Sequence, residues 1–446
     1  MADGARMDGI AGGRLDPENY RAGFSDLHPP LSHHEALVEA DRCYFCYDAP
    51  CVTACPTSID IPLFIRQIGT GNPLGSAKTI FDQNIFGGMC ARVCPTETLC
   101  EEACVREAAE GKPVRIGLLQ RHATDRAMAE GKQFYQHGAP TGKSVAIVGA
   151  GPAGLACAHR LAMKGHSVEI FDARAKAGGL NEYGVAAYKT VDGFAQAEVD
   201  YITAIGGITI HHGKALDRDV ILADLADKHD AVFLAMGLGG VNSLDGMDLA
   251  AEGLGDAVGW IAQLRQAQDL AQVPVGRRVV VIGGGMTAID AGVQAKGLGA
   301  EEVTICYRGP RERMKASRYE QELAQTRGVT LRFEMQPRRM ITADERVTAM
   351  EFERGGETVL IECDQIFQAI GQTLEAALLT GCAQRIELVG GRIKVDGEGR
   401  TTCPKIWAGG DCAAAGDDLT VTAVAQGRDA AESIHRALGQ HEAEGK

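Results

Sequence analysis

The spacing of hydrophobic and polar positions changes near residue 140. Upstream, apolar residues recur at intervals of three and four, which predicts helices over Ile61–Ile68, Gly75–Phe81 and Gly117–Glu130. Downstream, short apolar runs such as Lys143–Val148 alternate with helical spacing, which is typical of βαβ units and a parallel sheet. We therefore expect a mostly helical region followed by an α/β region.

Local signals predict where the N-terminal elements begin. Residues 1–31 are expected to form an irregular arm, because paired glycines and paired prolines interrupt it. Ser32 is a candidate N-cap, and Glu35 three residues later completes a capping box, so a helix should run from there to about Arg42. Residues 136–142, QHGAPTG, are expected to be a linker.

A nucleotide-binding unit is predicted after the linker. The strand Lys143–Val148 leads into the turn Gly149–Gly154, a helix to about Lys164 and a second strand, Ser167–Phe171, that ends at Asp172. The glycines permit close approach of a pyrophosphate to the helix N-terminus, and the acid is placed to accept a hydrogen bond from a ribose hydroxyl. A glycine-rich turn without a ligand is the alternative, but strand, helix and acid together favour a dinucleotide.

A second unit of the same kind follows. The strand Arg277–Ile282 leads into Gly283–Ala288, a helix towards Lys296 and the strand Glu302–Tyr307. It ends at Arg308 instead of an acid, and more cations follow at Arg311, Arg313, Lys315 and Arg318. Cations there suit a 2′-phosphate, although a solvated basic loop would look the same. Two units predict two nucleotides, one a flavin and one a nicotinamide.

The remaining strands predict how the two units are connected. Ala231–Gly237 and Gln365–Gly371 are short apolar runs that end in small residues, as crossovers between nucleotide domains would, so the second unit is expected to be inserted into the first. A strand from Lys405 runs into a Gly-Asp turn at Gly410 and Asp411, before a helix over Leu419–Leu438. That turn suits the ribityl-phosphate and ring edge of a flavin, or is an ordinary strand–turn–helix connection.

Eight of the 14 cysteines lie between Cys43 and Cys104. They read Cys-x2-Cys-x4-Cys-x3-Cys-Pro and, from Cys90, Cys-x3-Cys-Pro-x4-Cys-x3-Cys. A close triplet with a distant fourth ligand is a recurring way to hold an iron–sulfur cluster, so we expect two [4Fe–4S] clusters. A disulfide framework would suit a small secreted domain, and structural zinc would want repeated Cys-x2-Cys pairs, of which only Cys43/Cys46 is present.

The predicted fold class is α/β, with an N-terminal α-helical double-cluster domain followed by two Rossmann-like domains, one inserted in the other. The expected segments are 1–140 for the iron–sulfur domain, 141–237 and 371–446 for the FAD-binding domain, and 238–370 for the NAD(P)H-binding domain. The length of 446 residues and the hydrophobic content of 45% suit two or three packed domains.

The charge and the apolar pattern exclude some partners. A net charge of −14 argues against nucleic acid or an anionic membrane. The first 20 residues carry no apolar signal region, and no run of about 18 apolar residues occurs, so neither secretion nor a transmembrane helix is expected. The cytoplasm, where thiols stay reduced for metal ligation, is the expected location.

Several motifs resemble one family. They are CYFCYDAPCVTACPTSIDIPLFI, CARVCPTETLC, the segment from Arg115 to Gln120, VGAGPAGL, VIGGGMTAID and AGGDC. Together they resemble the N-terminal half of dihydropyrimidine dehydrogenase, which in bacteria is a separate NAD(P)H-oxidising subunit, and the glutamate synthase small subunit has the same layout. The resemblance covers nearly the whole chain from about Ser32, and the absent flavin-mononucleotide barrel implies a second polypeptide.

The resemblance also implies site residues. One cluster would take Cys43, Cys46, Cys51 and Cys104, and the other Cys55, Cys94, Cys100 and, in place of a fourth thiolate, Gln120, which frees Cys90. The implied FAD contacts are Gly149, Gly151, Pro152, Ala153, Gly154, Leu155, Asp172, Gly179, Leu180, Lys189, Leu216, Gly410, Asp411 and Thr420. The implied NAD(P)H contacts are Gly284, Gly285, Met286, Thr287, Arg308, Lys315, Ala369, Ile370 and Gly371. Gly309 stands where NADPH-dependent relatives often carry a second base, so the choice between NAD and NADP stays open.

The implied activity is electron input. Hydride would pass from NAD(P)H to FAD, and single electrons would pass through the clusters to a barrel subunit that carries FMN and iron–sulfur clusters, resembles dihydroorotate dehydrogenase and reduces uracil or thymine reversibly, in a heterotetramer. Because the cofactors carry this chemistry, no side chain is assigned as a catalytic acid or base. The alternatives are a glutamate synthase small subunit, a stand-alone NAD(P)H diaphorase and a nucleotide-sensing scaffold without turnover.

Overall fold

The computed structural model describes residues 8–244, 246–379 and 385–444. Its helices are α1 Pro17–Gly23, α2 His33–Asp41, α3 Pro50–Ala54, α4 Ile61–Gly69, α5 Pro73–Gln83, α6 Gly87–Val93, α7 Val105–Glu110, α8 Ile116–Ala129, α9 Pro152–Met163, α10 Leu180–Tyr183, α11 Phe194–Thr203, α12 Leu222–Lys228, α13 Ala257–Gln266, α14 Met286–Gly297, α15 Arg318–Thr326 and α16 Thr420–Glu444. None of the helices in these ranges is both long and apolar enough to cross a bilayer.

The strands are mostly short. They are β1 Ile10–Ala11, β2 Ser144–Val148, β3 Ser167–Asp172, β4 Ile208–His212, β5 Ala231–Leu234, β6 Gly240–Val241, β7 Leu254–Asp256, β8 Val275–Gly276, β9 Arg278–Gly283, β10 Glu302–Cys306, β11 Thr330–Arg332, β12 Gln336–Ala343, β13 Arg346–Arg354, β14 Glu357–Glu362, β15 Gln365–Ala369, β16 Gln372–Thr373, β17 Leu388–Val389, β18 Arg392–Ile393 and β19 Ile406–Ala408.

The chain divides into two compact units. The larger unit contains His28–Glu182, Asp192–Gly239 and the described residues from Leu374 onward. The smaller unit contains the described residues up to Leu27, Tyr183–Val191 and Gly240–Thr373. This division differs from the four predicted segments, because the N-terminal arm and a short stretch after α10 belong to the smaller unit.

Three helices near the cysteine groups begin where local signals predict. The capping box at Ser32 and Glu35 is present, and α2 ends at Asp41 with Arg42 as its C-cap. Side-chain oxygens of Asp60 and Asn72 accept first-turn N–H groups of α4 and α5, and each of these helices has a proline in its first turn. Caps and an early proline satisfy or remove N–H donors that a helix leaves unpaired at its start.

The expectation of an irregular arm over residues 1–31 is wrong for residues 8–31, and residues 1–7 lie outside the described part of the chain. Asp16 caps α1 through the N–H of Asn19, and Pro17 occupies its first turn. The side chains of Tyr20 and Phe24 are buried in the core of the smaller unit with Trp260. The short β1 pairs with β8, and burial of the aromatic side chains outweighs the flexibility that the glycines introduce.

Phe24→Ala is expected to destabilise the smaller unit by about 3 kcal/mol, because loss of a buried ring leaves a cavity. The ring lies against Gly297, where an added Cβ would be 3.0 Å from Phe24 Cε2. Arg21→Ala, an exposed change on the same helix, is the control. A calorimetric melting temperature for Phe24→Ala equal to that of Arg21→Ala would show that the arm contributes nothing to this core.

Each unit has one five-stranded parallel sheet. The order is β19-β5-β2-β3-β4 in the larger unit and β11-β10-β9-β15-β7 in the smaller one. In both sheets the first strand of the predicted nucleotide-binding unit, β2 or β9, is central. A strand that comes later in the chain, β5 or β15, pairs with its other side. Ligands of such sheets bind outside the carboxyl ends of the strands, where the order reverses.

The remaining described strands add small sheets to these cores. In the smaller unit, β12, β13 and β14 form an antiparallel meander between β11 and β15. In the larger unit, α16 packs along α9, and Gly427 comes so close to the Ala153 carbonyl that an added Cβ would collide with it. The Rossmann-like α/β architecture predicted from the sequence is confirmed.

Candidate functional site

Four cysteines predicted to share one cluster surround one pocket. Cys43, Cys46, Cys51 and Cys104 all line it, and the space in it, including solvent at its open mouth, is ≈ 380 Å³. Burial raises the pKa of the Cys51 thiol to about 12, and the neighbouring Cys104 and Cys43 thiols add to the shift. Thiolates here need a compensating positive charge, which iron would supply.

The loop between the first two cysteines is strained. Phe45 has φ 51°, a left-handed conformation that bulky side chains rarely adopt. Its N–H donates to Cys43 Sγ at 3.4 Å, and the Arg66 guanidinium stacks on its ring, 4.7 Å from the centroid. Strain of this kind persists at ligand sites, and N–H groups aimed at sulfur tune cluster potentials, so the loop fits a cluster.

The other four cysteines form a second group. The pKa of the Cys94 thiol is raised well above its ordinary value by a hydrogen bond with Cys90, by burial and by the nearby Cys100 and Cys55 thiols. Burial likewise raises the pKa of Cys100, with Cys55 and Cys51 among its neighbours. Cys90 thus lies beside Cys94, and the structure leaves both it and Gln120 as possible fourth ligands.

The amide nitrogen of the Gln120 side chain already has a hydrogen-bond partner. Its Nε2 donates to the Gly87 carbonyl at 2.7 Å, and the residue is 8% exposed. This bond orients the amide so that its carbonyl oxygen points away from Gly87. Gln120 lies on α8, and Gly87 is the first residue of α6, which also carries Cys90 and leads into Cys94. The Gln120 side chain is therefore bonded to the helix that leads into the second group.

The turn after β2 has the shape that a dinucleotide needs. Gly149 has φ +104°, and a Cβ there would collide with the Ala235 carbonyl, which follows β5. A Cβ at Gly154 would collide with the Gly149 carbonyl, whereas one at Gly151 would lie 3.8 Å from Gly179 Cα. No side chain caps α9, so its first N–H groups are free to bind a pyrophosphate.

Asp172 makes two bonds that sequence reasoning did not anticipate. Its Oδ2 accepts from the Ala150 N–H at 2.6 Å, and its Oδ1 accepts from the Arg174 N–H at 2.7 Å. Each carboxylate oxygen keeps a further lone pair, so binding of a ribose hydroxyl stays possible. The acid also fixes the glycine turn to the end of β3.

The predicted Gly-Asp turn lies beside the same helix. Gly410 has φ +73°, and a Cβ there would be 3.1 Å from Ala153 Cβ. Burial, and next the Asp418 carboxylate, raise the pKa of Asp411 to about 6, against the opposing Arg392. Thr420, at the start of α16, donates to Asn181 Oδ1 at 2.8 Å. Two glycine turns and two helix N-termini therefore meet in the larger unit.

Three other predicted flavin contacts, Leu180, Leu216 and Lys189, have three different environments. Leu180 is 39% exposed at the start of α10, and Leu216 is buried with Val148 and Leu234. Lys189 belongs to the smaller unit, where its Nζ lies 2.8 Å from Asp290 Oδ1 and 2.8 Å from Glu320 Oε1. Burial opposes the ammonium, but the two carboxylates outweigh it and raise the pKa of Lys189. Its charge is thus already paired.

The turn after β9 repeats the geometry of the first. A Cβ at Gly283 would collide with the Ala369 carbonyl at the end of β15, just as a Cβ at Gly149 would collide with the Ala235 carbonyl. Gly285 precedes α14, and a Cβ there would meet nothing within 4 Å. Gly371 has φ +105°. The residues predicted to bind the nicotinamide cofactor at Gly284–Thr287 and Ala369–Gly371 therefore meet at one edge of this sheet.

The basic loop reaches the same edge. The Ala316 N–H donates to the Gly284 carbonyl at 2.9 Å, which brings Lys315 next to the glycine turn. Arg308 and Lys315 are exposed and make no ion pair within the described ranges. The Tyr307 ring covers Gly284 and lies against Gly309, where an added Cβ would be 2.9 Å from its Cε1. Free cations are available for a phosphate.

Sequence reasoning missed side chains that hold these turns. The Gly410 N–H donates to Gln426 Oε1 at 2.6 Å, and Asn181 bonds Thr420. Gln426 is one position before Gly427 on α16, and helical spacing alone assigns it no role. No motif signals such residues, because their partners are distant in sequence.

Two family models match the chain. The pyridine nucleotide-disulphide oxidoreductase family matches residues 143–427, and the family described as dihydropyrimidine dehydrogenase domain II, 4Fe-4S cluster, matches residues 20–132. The cofactors that these families imply are FAD, NAD(P)H and 4Fe-4S clusters, and the glycine turns and cysteine groups fit them.

Curated relatives match over nearly the full length. The NAD-dependent dihydropyrimidine dehydrogenase subunit PreT of Escherichia coli K12 is 34% identical over 95% of this chain and 98% of its own. The glutamate synthase [NADPH] small chain of the same organism is 32% identical over 92% of this chain and 93% of its own.

Solved structures share the fold of the nucleotide-binding part. The thioredoxin reductase of T. acidophilum has a TM-score of 0.52 at 21% identity, and the match covers 66% of this chain and 99% of that chain. Mycobacterium tuberculosis FprA in complex with NADPH has a TM-score of 0.55 at 17% identity, and covers 69% and 86%. Residues 143–427 of this chain contain no Cys-x-x-Cys pair.

Proposed function

Since this chain belongs to the pyridine nucleotide-disulphide oxidoreductase family and matches dihydropyrimidine dehydrogenase PreT subunits over nearly its whole length, we propose that it is the electron-input subunit of a dihydropyrimidine dehydrogenase. Its cofactors supply hydride transfer from NAD(P)H to FAD and single-electron transfer through two [4Fe–4S] clusters. The final acceptor is uracil or thymine, reduced at its 5,6 double bond by a partner subunit, and the reaction is reversible.

The observation that most supports this proposal is the arrangement of the cysteines. Two groups of four lie in the same unit as the glycine turn for FAD, at Gly149–Gly154. The nucleotide-binding part has no Cys-x-x-Cys pair that could accept electrons from a flavin. Electrons would therefore leave through the clusters.

The chain's own residues bind and orient the cofactors. Gly151 and the first N–H groups of α9 would hold the FAD pyrophosphate, and Asp172 would accept from the ribose. Gly285 and the start of α14 would hold the nicotinamide dinucleotide, with Arg308 and Lys315 available for its ribose side. Cys43, Cys46, Cys51 and Cys104 would hold the first cluster. Cys55, Cys94, Cys100 and Gln120 would hold the second.

The proposal requires a partner. A barrel subunit carrying FMN and iron–sulfur clusters, similar to dihydroorotate dehydrogenase, would receive the electrons in a heterotetramer. Because cysteine ligands must stay reduced before iron is inserted, the proposal favours a cytoplasmic complex.

Steady-state assays of the chain with its barrel partner test the proposal. Uracil-dependent oxidation of NADH, absent when either subunit is left out, is the expected result. If NADH reduces a dye but not uracil, and a glutamate synthase large chain accepts the electrons, the chain is a glutamate synthase small subunit instead. Dye reduction that needs no second subunit, and no partner in native preparations, would indicate a stand-alone diaphorase.

The coenzyme preference is expected to be mixed, with NADH at least as effective as NADPH. Arg308 and Lys315 tolerate a 2′-phosphate, but Gly309 supplies no second donor. Gly309→Arg is expected to raise the NADPH/NADH ratio of kcat/KM about tenfold, equal to about 1.4 kcal/mol, if Tyr307 gives way by a few tenths of an ångström. Gly309→Ala is the control for crowding alone. A wild-type preference for NADPH above about a hundredfold, on the order of 3 kcal/mol, would contradict the expectation.

A further inference from the structure

Glu198 is a carboxyl group with no part in the sites described above. It lies on α11, in the nucleotide-binding part of the larger unit, and its side chain is fully buried. Its Oε1 accepts from the Gly88 N–H at 2.9 Å and from the Met89 N–H at 3.0 Å. Its Oε2 has no hydrogen-bond partner among the described residues. Burial of a polar atom without a hydrogen-bond partner destabilises a folded protein. We therefore ask what the two hydrogen bonds of the other oxygen do.

The two N–H groups belong to the helix that serves the second cysteine group. They lie in the first turn of α6, which contains Cys90 and leads directly into Cys94. The first residue of α6, Gly87, is the one whose carbonyl orients the Gln120 amide. A displacement of this turn would move Cys94 and Gln120 together.

A second contact holds the same helix to α11. The Arg92 guanidinium lies 3.4 Å from the centroid of the Phe194 ring, and it bonds the Gly88 carbonyl and Asp125. Arg92 is itself buried. Glu198 and Phe194 are four residues apart, so one face of α11 contacts α6 at both its start and its end.

We propose that Glu198 is a positioning residue for the second cluster, and that its acceptor oxygen fixes the turn of α6 on which the geometry of Cys94 and Gln120 depends. This inference rests on the proposed cluster site, but not on the identity of the final acceptor. Burial raises the pKa of Glu198 to about 8, against the lowering by the Met89 N–H, Arg92 and the Gly88 N–H. An amide of the same length keeps an acceptor oxygen within reach of these two N–H groups.

The test compares variants of the purified, cluster-loaded chain. Glu198→Ala removes the acceptor, Glu198→Asp shortens it, and Glu198→Gln keeps an acceptor oxygen at the same reach. Asp200→Asn alters an exposed carboxylate two residues away on α11 and is the matched control. The readouts are iron and sulfide content and the potential and EPR spectrum of each cluster in a redox titration, none of which needs a pyrimidine or a partner subunit.

Glu198→Ala and Glu198→Asp are expected to shift the potential and EPR spectrum of one cluster and leave the other unchanged. Glu198→Gln and Asp200→Asn are expected to match the wild type. If Glu198→Ala does not fold, Glu198→Asp carries the test. Unchanged spectra and potentials in Glu198→Asp would overturn the proposal, as would a Glu198→Gln variant as impaired as Glu198→Asp. Because uracil is absent throughout, a failed uracil assay would leave these outcomes intact.

Discussion

Cys94→Ser is expected to lose about four of about eight iron atoms per chain, whereas Cys90→Ser is expected to keep them all. The two cysteines lie on one turn of chain and are hydrogen-bonded to each other, so position alone does not separate them. The predicted ligand role of Gln120 separates them: its Nε2 is bonded to Gly87, and we expect its carbonyl oxygen, instead of the Cys90 thiolate, to bind iron. Iron and acid-labile sulfide analysis of each purified variant gives the result.

Gln120→Cys completes this comparison. A thiolate in place of a neutral amide oxygen adds negative charge to the second cluster and should lower its potential, since potentials respond to net charge and ligand type. Cys104→Ser, which removes a ligand of the other group, is the control for selective loss. Loss of about four irons from Cys90→Ser, together with an unmoved potential in Gln120→Cys, would assign the ligand role to Cys90.

Gly151→Ala is expected to purify folded but with little FAD. A Cβ at this position would lie 3.8 Å from the nearest other atom, so the apoprotein accommodates it. The same methyl group would occupy the space through which a pyrophosphate approaches the backbone. We expect FAD affinity to fall at least tenfold, equal to about 1.4 kcal/mol, measured by flavin absorbance and by titration of apoprotein with FAD.

Gly285→Ala is the counterpart at the second turn. Its Cβ meets no protein atom within 4 Å, so the variant should fold and keep FAD. It should lose rapid flavin reduction by NADH, because the methyl group would occupy the space through which the dinucleotide approaches the backbone. Each variant controls for the other, and Gly439→Ala, likewise open but on the far part of α16, controls for the substitution itself. If Gly151→Ala purifies yellow with full flavin occupancy, the prediction that this turn binds the FAD pyrophosphate is wrong.

Local patterns predicted most elements and their chemistry. The capping box at Ser32, the Gly149–Gly154 turn and the second turn at Gly283 involve residues within a few positions of one another, so their signals survive in the sequence. The strands β5 and β15 were also predicted, but they end at Leu234 and Ala369, two or three residues before the predicted ends. The residues after each strand form a turn beside the glycines.

The sequence by itself thus determined the two glycine turns, the helices around the cysteine groups and the α/β class, because each depends on short-range spacing. The tertiary structure alone decided that the arm around Phe24 is part of a core, that Lys189 lies with Asp290 and Glu320, and that Glu198 holds α6. These contacts join residues more than 100 positions apart, and burial makes them favourable only after the chain has folded. A local sequence pattern cannot predict such contacts, because the segments that form them are far apart in the chain and bury their surfaces only together.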